Sequence, residues 1–146
     1  MYQMTEAVTE VLPPNQFRYL MGVGTPSNIL ESIARGIDLF DCVMPSRNAR
    51  NGMLFTWNGV INLRNRKWRS DLSAVDPQSP LAEDRLYSKA YLAHLFQCHE
   101  MLGPRLATLH NLHFYLDLTR TARQHLLAGD FSDWKDEVLP RLSQRL

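Results

Sequence analysis

The spacing of apolar and polar positions divides the chain into a front of short β-type runs and a back of helices. Residues 1–16 keep no sustained period and read as a weak leader ending at Pro13-Pro14. Phe17-Arg18-Tyr19-Leu20-Met21-Gly22-Val23-Gly24 is a short apolar run with β-favouring residues. Thr25-Pro26 then supplies a helix N-cap with proline at the first helical position. Ile29, Leu30, Ile33 and Ala34 recur at helical spacing until Gly36 stops the helix. Ile37 to Met44 is a second β-type run, closed by Pro45. Strand, helix and strand with short connections make a βαβ unit, so the two strands are expected to be parallel and buried on both faces.

Pro45 to Gly52 reads as a loop. Leu54 to Trp57 and Val60 to Leu63 flank Asn58-Gly59, the strongest short hairpin signal. Residues 66–82 are polar and irregular, with Pro77 and Pro80. A helix is expected from about Glu83 to Leu102, stopped by Gly103-Pro104. A second is expected from about Arg105 to Ala128, stopped by Gly129, and a shorter one from near Ser132, disturbed by Pro140. There are no internal repeats. Two parallel strands do not make a finished sheet, so the front of the chain reads as part of a larger α/β structure.

Composition narrows the class without naming a partner. At 146 residues and 45 % hydrophobic, the chain can bury one core. No apolar run reaches the length of a membrane span, and the start does not resemble a signal peptide, so no membrane partner is expected. Cys42 and Cys98 form no CxxC pair, which fits a reducing cytoplasm better than a disulfide scaffold. Net charge is +1 and uninformative. Its distribution is not: no acidic residue lies between Asp41 and Asp71, a stretch that holds Arg47, Arg50, Arg64, Arg66, Lys67 and Arg69. Such a segment suits a polyanion, because phosphate contacts dominate nucleic-acid affinity. A solvated surface whose acids come from elsewhere in the fold is the alternative.

Among candidate chemical groups, Asp41 stands out. A carboxylate in a buried apolar strand costs free energy unless a cleft or a partner solvates it. Active sites accept that cost at the C-terminal ends of parallel strands. The competing reading is a structural aspartate tied to loop donors. Asp38, at the strand entrance, reads as a boundary residue. In Pro45-Ser46-Arg47-Asn48-Ala49-Arg50-Asn51-Gly52, the two arginines can grip phosphates or base edges by bidentate forks. Gly22-Val23-Gly24-Thr25-Pro26-Ser27 follows a strand and opens a helix, but Ser27 replaces the third glycine of a dinucleotide fingerprint. That helix N-terminus can still meet a phosphate. Trp57 and Trp68 are expected to pack rather than to stack on bases. His94, His99, His110, His113 and His125 have no metal-ligand spacing.

Two long stretches carry a resemblance. Arg18 to Gly24, and Arg35-Gly36-Ile37-Asp38-Leu39-Phe40-Asp41-Cys42-Val43-Met44-Pro45-Ser46-Arg47-Asn48-Ala49-Arg50-Asn51-Gly52, resemble the tRNA-guanine transglycosylases, with Ser46 where the family usually has threonine. Tyr87-Ser88-Lys89-Ala90-Tyr91-Leu92 and Leu109-His110-Asn111-Leu112 match further on. The resemblance runs from about Phe17 to the last helix and is closer to the bacterial, queuine-type branch. It implies the C-terminal part of a TIM (β/α)8 barrel: the last two parallel strands and the hairpin over about residues 17–65, then a degenerate zinc subdomain and helices over 66–146.

The resemblance also implies roles. Asp41 matches the nucleophile that attacks C1′ of the wobble guanosine in a tRNA with a G34 anticodon, forming a covalent intermediate that a queuine-type base displaces. Gly22, Val23, Gly24, Thr25, Pro26, Ser27 and Asn28, with Ser46, Arg47, Asn48, Ala49 and Arg50, match RNA-contacting positions. Tyr19, Met21 and Gly22 match positions bordering the base pocket. Two departures accompany this. The front of the barrel, with the family's general acid/base aspartate, is not in this sequence. The family's CxCxxC zinc ligands fall on Ser79, Leu81 and Asp84, and only the histidine position survives, as His110, so no zinc cofactor is expected. The expectation is a base-exchange enzyme that needs a front half, supplied by a separate polypeptide, with the isolated chain inactive and prone to form homo-oligomers. The alternatives are a non-catalytic tRNA-binding remnant or accessory subunit, or a truncated reading of a longer gene.

Overall fold

The computed structural model describes residues 1–146. Tyr2–Val11 is a helix, α1, where the sequence pattern predicts only a weak leader. Its buried positions are Thr5 and Thr9, which a hydropathy pattern counts as polar, so its period is hidden. Tertiary contacts hold it. The Tyr2 hydroxyl donates to Asn28 Oδ1 at 2.7 Å, and the Arg35 guanidinium lies 4.7 Å over the Tyr2 ring.

The next elements are β1 (Tyr19–Met21), α2 (Pro26–Ile33) and β2 (Leu39–Asp41). β1 and β2 pair in parallel, with Tyr19 opposite Leu39, Leu20 opposite Phe40 and Met21 opposite Asp41. Thr25 caps α2 by accepting from the Asn28 N–H at 3.2 Å. The strands are not buried on both faces. Phe40 packs on the helical core, while Tyr19, Met21 and Leu39 are 51, 73 and 48 % exposed. Alternation puts these three residues and Asp41 on one face, and nothing in the chain covers that face.

Pro45 to Gly52 is not a loop. Met44–Arg50 forms α3, with proline in the first turn and Arg47 N–H donating to the Val43 carbonyl at 2.9 Å. Fully buried Ala49 anchors α3 in the core. The hairpin strands are β3 (Met53–Thr56) and β4 (Gly59–Asn62), and Thr56 pairs with Gly59. The turn is therefore Trp57-Asn58, one residue earlier than the Asn-Gly signal implies. Thr56 Oγ1 closes it, donating to the Gly59 carbonyl at 2.8 Å and accepting from the Asn58 N–H at 3.2 Å. Gly59 serves another purpose: a Cβ there would lie 2.5 Å from the Gln144 carbonyl oxygen, which accepts from Val60 N–H.

A 3-10 turn over Arg66–Ser70 leads into the irregular segment. The helix expected from Glu83 to Leu102 is two helices, α4 (Ala82–Leu86) and α5 (Lys89–Gln97). Ser88 separates them and caps α5, accepting from Tyr91 N–H at 3.1 Å. Gly103-Pro104 do not stop a helix. They lie in the first turn of α6 (Leu102–Ala128), where proline loses no helical bond. A Cβ on Gly103 would lie 3.0 Å from Leu95 Cβ, so its small size lets α5 and α6 approach. Gly129, at φ 80°, ends α6. α7 (Phe131–Ser143) continues through Pro140, which faces solvent.

The hairpin divides the core. Leu54 and Ile61 join Trp68, Leu92, Phe96 and Leu106 on one side. Phe55 joins Leu30, Tyr115, Leu118, Phe131 and Val138 on the other. α6 spans both. Trp57 packs edge-on against Phe114 and Trp134, and Trp68 is buried, so neither indole offers an open stacking face.

Candidate active site and nucleic-acid interface

Asp41 is the last residue of β2 and is exposed on the open face of the two-stranded sheet. The Gly22 N–H donates to the Asp41 carbonyl at 3.0 Å and reaches the Asp41 carboxylate at 3.4 Å. Gly22 manages this at φ 75°, a conformation that side-chain-bearing residues avoid. The Tyr19 phenol lies beside the same carboxylate. Hydrogen bonding with Asp41, some desolvation and the carboxylate's charge hold its pKa above the ordinary tyrosine value. Tyr19, Met21, Gly22 and Asp41 therefore share one exposed face and one end of the sheet. Asp38 lies at the opposite end, where its carboxylate accepts from Arg18 N–H at 2.9 Å.

The two connections leaving this end pack against each other. A Cβ on Gly24 would lie 2.9 Å from Cys42 Cβ and 3.0 Å from Met44 Cβ. Only glycine allows the β1–α2 connection to sit this close to the β2–α3 connection. The Tyr115 hydroxyl, from α6, donates to the Gly24 carbonyl and pins the junction from beneath. Burial pushes the Tyr115 phenol far above the ordinary range, with a smaller contribution from Cys42, so this donor stays protonated. Neither Tyr115 nor the Gly24–Cys42 contact is visible in the sequence pattern, because both are close approaches between distant segments.

Of the residues matching RNA-contacting positions, Arg47 and Arg50 are exposed on α3, and Ser46 and Asn48 are half-buried. Ala49 is fully buried, so only its backbone is available to a ligand. In the β1–α2 segment Gly24 and Pro26 are buried, whereas Gly22 is exposed. Arg47, Arg50, Arg64, Arg66, Lys67 and Arg69 are all exposed, and none forms a salt bridge. Arg64 instead donates through Nε to the Asn51 carbonyl at 3.0 Å, and Lys67 lies 4.6 Å over the Trp68 ring. None of these cations is thus paired with a carboxylate.

Below the hairpin, α6 meets the open edge of β3 with two consecutive side chains. Asn111 Oδ1 accepts from Phe55 N–H at 3.1 Å, and its amide donates to the Met53 and Pro45 carbonyls at 3.0 and 2.9 Å. His110 Nε2 lies 2.8 Å from the Phe55 carbonyl, and its Nδ1 lies 2.7 Å from Asp84 Oδ2. His110 and Asp84 are 2 and 4 % exposed.

These positions do not fit zinc. Leu81 carries no donor atom, and the Ser79 hydroxyl accepts from Leu81 N–H at 3.2 Å. Both nitrogens of His110 are engaged. No group of three or more His, Cys, Asp or Glu side chains is placed to hold a metal ion.

The structure is thus a mixed α/β unit with a carboxylate at the C-terminal end of a parallel strand and unpaired cations nearby. The family model for queuine tRNA-ribosyltransferase matches residues 1–144, and the chain belongs to that family. It is 47 % identical over 146 residues to the queuine tRNA-ribosyltransferase of Aquifex aeolicus (strain VF5), covering 100 % of this chain and 39 % of that protein. It is 50 % identical over 135 residues to that of Helicobacter hepaticus, covering 92 % of this chain and 35 % of that protein. For Actinobacillus succinogenes the identity is 46 % over 146 residues, with 38 % of the relative covered. The chain spans about two fifths of the length of these relatives. No helix is long and apolar enough to cross a membrane.

Proposed function

We propose that this chain is the C-terminal portion of a tRNA-guanine transglycosylase, contributing the nucleophile and part of the anticodon-binding surface for base exchange at the wobble guanine of tRNA. β1 and β2 are then the last two strands of a (β/α)8 barrel, and the hairpin and helices follow as an appended subdomain. The observation that carries the reading is Asp41. It ends a parallel strand, as catalytic groups of such barrels do, and its carboxylate is exposed on the face that the missing strands would enclose.

In this reading a carboxylate oxygen of Asp41 attacks C1′ of the ribose, and the bond from C1′ to guanine N9 breaks. The electron pair leaves with guanine, which takes a proton from an acid on the barrel's front portion. The incoming queuine-type base gives its proton to the group that protonated guanine, bonds to C1′ through the nitrogen so freed, and displaces Asp41 as a carboxylate. Two inversions give net retention, the logic of a retaining glycosidase. Gly22 N–H steadies the carboxylate before attack and again on its release, and Tyr19 and Met21 border the base. Arg47 and Arg50, with the cations at 64–69, hold the phosphates around the anticodon.

The front three fifths of the family's length would cover the exposed face of Tyr19, Met21 and Leu39 and would supply the acid. Base exchange therefore requires that portion, whether covalently attached or as a second polypeptide. The test is a denaturing-gel trapping assay with an unmodified tRNA bearing G34, with and without a co-expressed front portion. An adduct that forms only with the front portion and is lost in Asp41→Asn supports the reading. Salt-sensitive tRNA binding with no adduct under any condition would leave a non-catalytic RNA-binding unit instead.

A further inference from the structure

We propose that the buried Asp84–His110 pair takes the place of a metal centre in this chain, fastening the irregular segment before α5 to α6 and to the hairpin edge through a shared proton. The inference rests on the family membership, and it does not depend on whether the chain is catalytic.

The hydrogen-bond geometry defines the arrangement. The Phe55 carbonyl can only accept, so His110 Nε2, 2.8 Å away, must carry a hydrogen and donate it. Nδ1 then faces the Asp84 carboxyl at 2.7 Å, and one proton lies between them. Whether that proton sits on the ring or on the carboxyl, the pair is neutral overall and every facing atom is satisfied. That is the condition for burying such groups at all. No lone pair of His110 remains for an ion unless Asp84 moves away.

The surroundings match a filled site rather than a damaged one. Ser79, where the family carries its first cysteine, lines a void of about 10 Å³ together with Asp76, His110, His113 and Asp117. That volume is at the lower limit for one water molecule, so the packing around Ser79 and His110 is nearly closed. Asp76 is 1 % exposed and accepts from Trp57 N–H at 3.1 Å and Gln78 N–H at 3.0 Å, tying the start of the same segment to the hairpin turn. The segment is thus held at both ends by buried carboxylates, at Asp76 to the hairpin and at Asp84 to α6.

This arrangement has consequences for metal content and for stability. The full chain, purified from zinc-supplemented culture, is expected to hold well under one zinc per chain by elemental analysis, and a chelator should leave its unfolding midpoint in place. Asp84→Ala should lower that midpoint by roughly 5–10 °C, because it strands His110 Nδ1 in the core. Asp84→Asn, whose amide can donate to Nδ1, should recover most of the loss. If Asp84→Ala does not fold, the Asn variant and the metal measurements still decide the matter. Converting the three positions together, with Ser79→Cys, Leu81→Cys and Asp84→Cys, should give a chain that binds about one zinc and melts at lower temperature when the metal is chelated. Stoichiometric zinc in the natural chain, a chelator-sensitive melt, an Asp84→Ala midpoint equal to the natural one, or an Asp84→Asn midpoint no higher than that of Asp84→Ala would each overturn the proposal. A triple-cysteine variant that folds without binding zinc would do so too. A failure of tRNA trapping would leave all of these readings untouched.

Discussion

Asn111 Oδ1 accepts the backbone N–H of Phe55 at 3.1 Å, 56 residues away in sequence. With His110 on the carbonyl of the same residue, it makes α6 behave toward β3 as a neighbouring strand would. The far edge of the hairpin is closed in the same spirit by Gln144 and Leu146, whose backbones bond to Val60 at 2.8 and 3.0 Å. A two-stranded hairpin is marginal alone, and here neither edge is left open.

Replacing Asn111 with leucine keeps its bulk but leaves the Phe55 N–H and the Met53 carbonyl without this partner, and takes a side-chain donor from the Pro45 carbonyl in α3. The expected loss is about 3 kcal/mol, since each stranded buried group costs on the order of 1–3 kcal/mol and the losses overlap. Urea titration of the natural and variant chains measures this. A loss below about 0.5 kcal/mol would mean that the edge is not held by this side chain.

Asp41→Asn should separate chemistry from folding. The residue is exposed and touches only Gly22 and Tyr19, so the unfolding midpoint should stay within about 0.5 kcal/mol of the natural chain while the covalent tRNA adduct disappears. The same substitution removes the charge and exchanges the carboxylate acceptor for a weaker amide oxygen, so the Tyr19 titration should move down toward 10.0. Tyrosine-specific NMR across the alkaline range reads that shift. An unmoved Tyr19 would separate the two side chains.

Arg47→Ala and Arg50→Ala remove exposed cations that lack acidic partners. In an assembly containing the front portion, each should weaken tRNA binding regardless of the sequence outside the anticodon and reduce the salt slope by about 1. Filter binding at several salt concentrations tests this. Unchanged slopes in both variants would place the phosphate contacts elsewhere.

Glu31 on α2 bonds to Arg35 at 2.5 Å and to Lys135 of α7 at 3.2 Å. Chiefly the Arg35 hydrogen bond, opposed by burial and aided by Lys135, holds its pKa below the ordinary 4.5. Folding therefore gains stability above the unfolded value and loses it as pH falls through the lower folded value. Glu31→Gln should cost under about 1 kcal/mol at neutral pH, because the site is partly solvated, and the difference should vanish near pH 2. Denaturant midpoints at the two pH values check the sign. A deficit that persisted in acid would point to packing rather than charge.

Local chemistry was legible along the chain. Thr25-Pro26 opens a helix and Gly129 closes one, because capping depends on neighbours in sequence. The two β-type runs and the helix between them gave the parallel pair, and the run from Arg35 to Gly52 carried the family. α1 was hidden because threonines occupy its buried positions. α3 was hidden because a short helix anchored by one alanine has no period to show. The Glu83–Leu102 stretch reads as one helix because Ser88 looks like any polar position until its hydroxyl caps α5.

What sequence alone determined about this protein is its family, its α/β character and the identity of the candidate nucleophile, since these reside in contiguous residues. Tertiary structure alone decided that Asp41 lies on an open face beside Tyr19, and that Gly24 must be small because Cys42 and Met44 lie against it. It also decided that Asp84 and His110, 26 residues apart, meet in the core. Each of these is a contact between segments that hydropathy and spacing treat as independent. A polar side chain in a sequence does not reveal whether it will find its partner across the fold or face water.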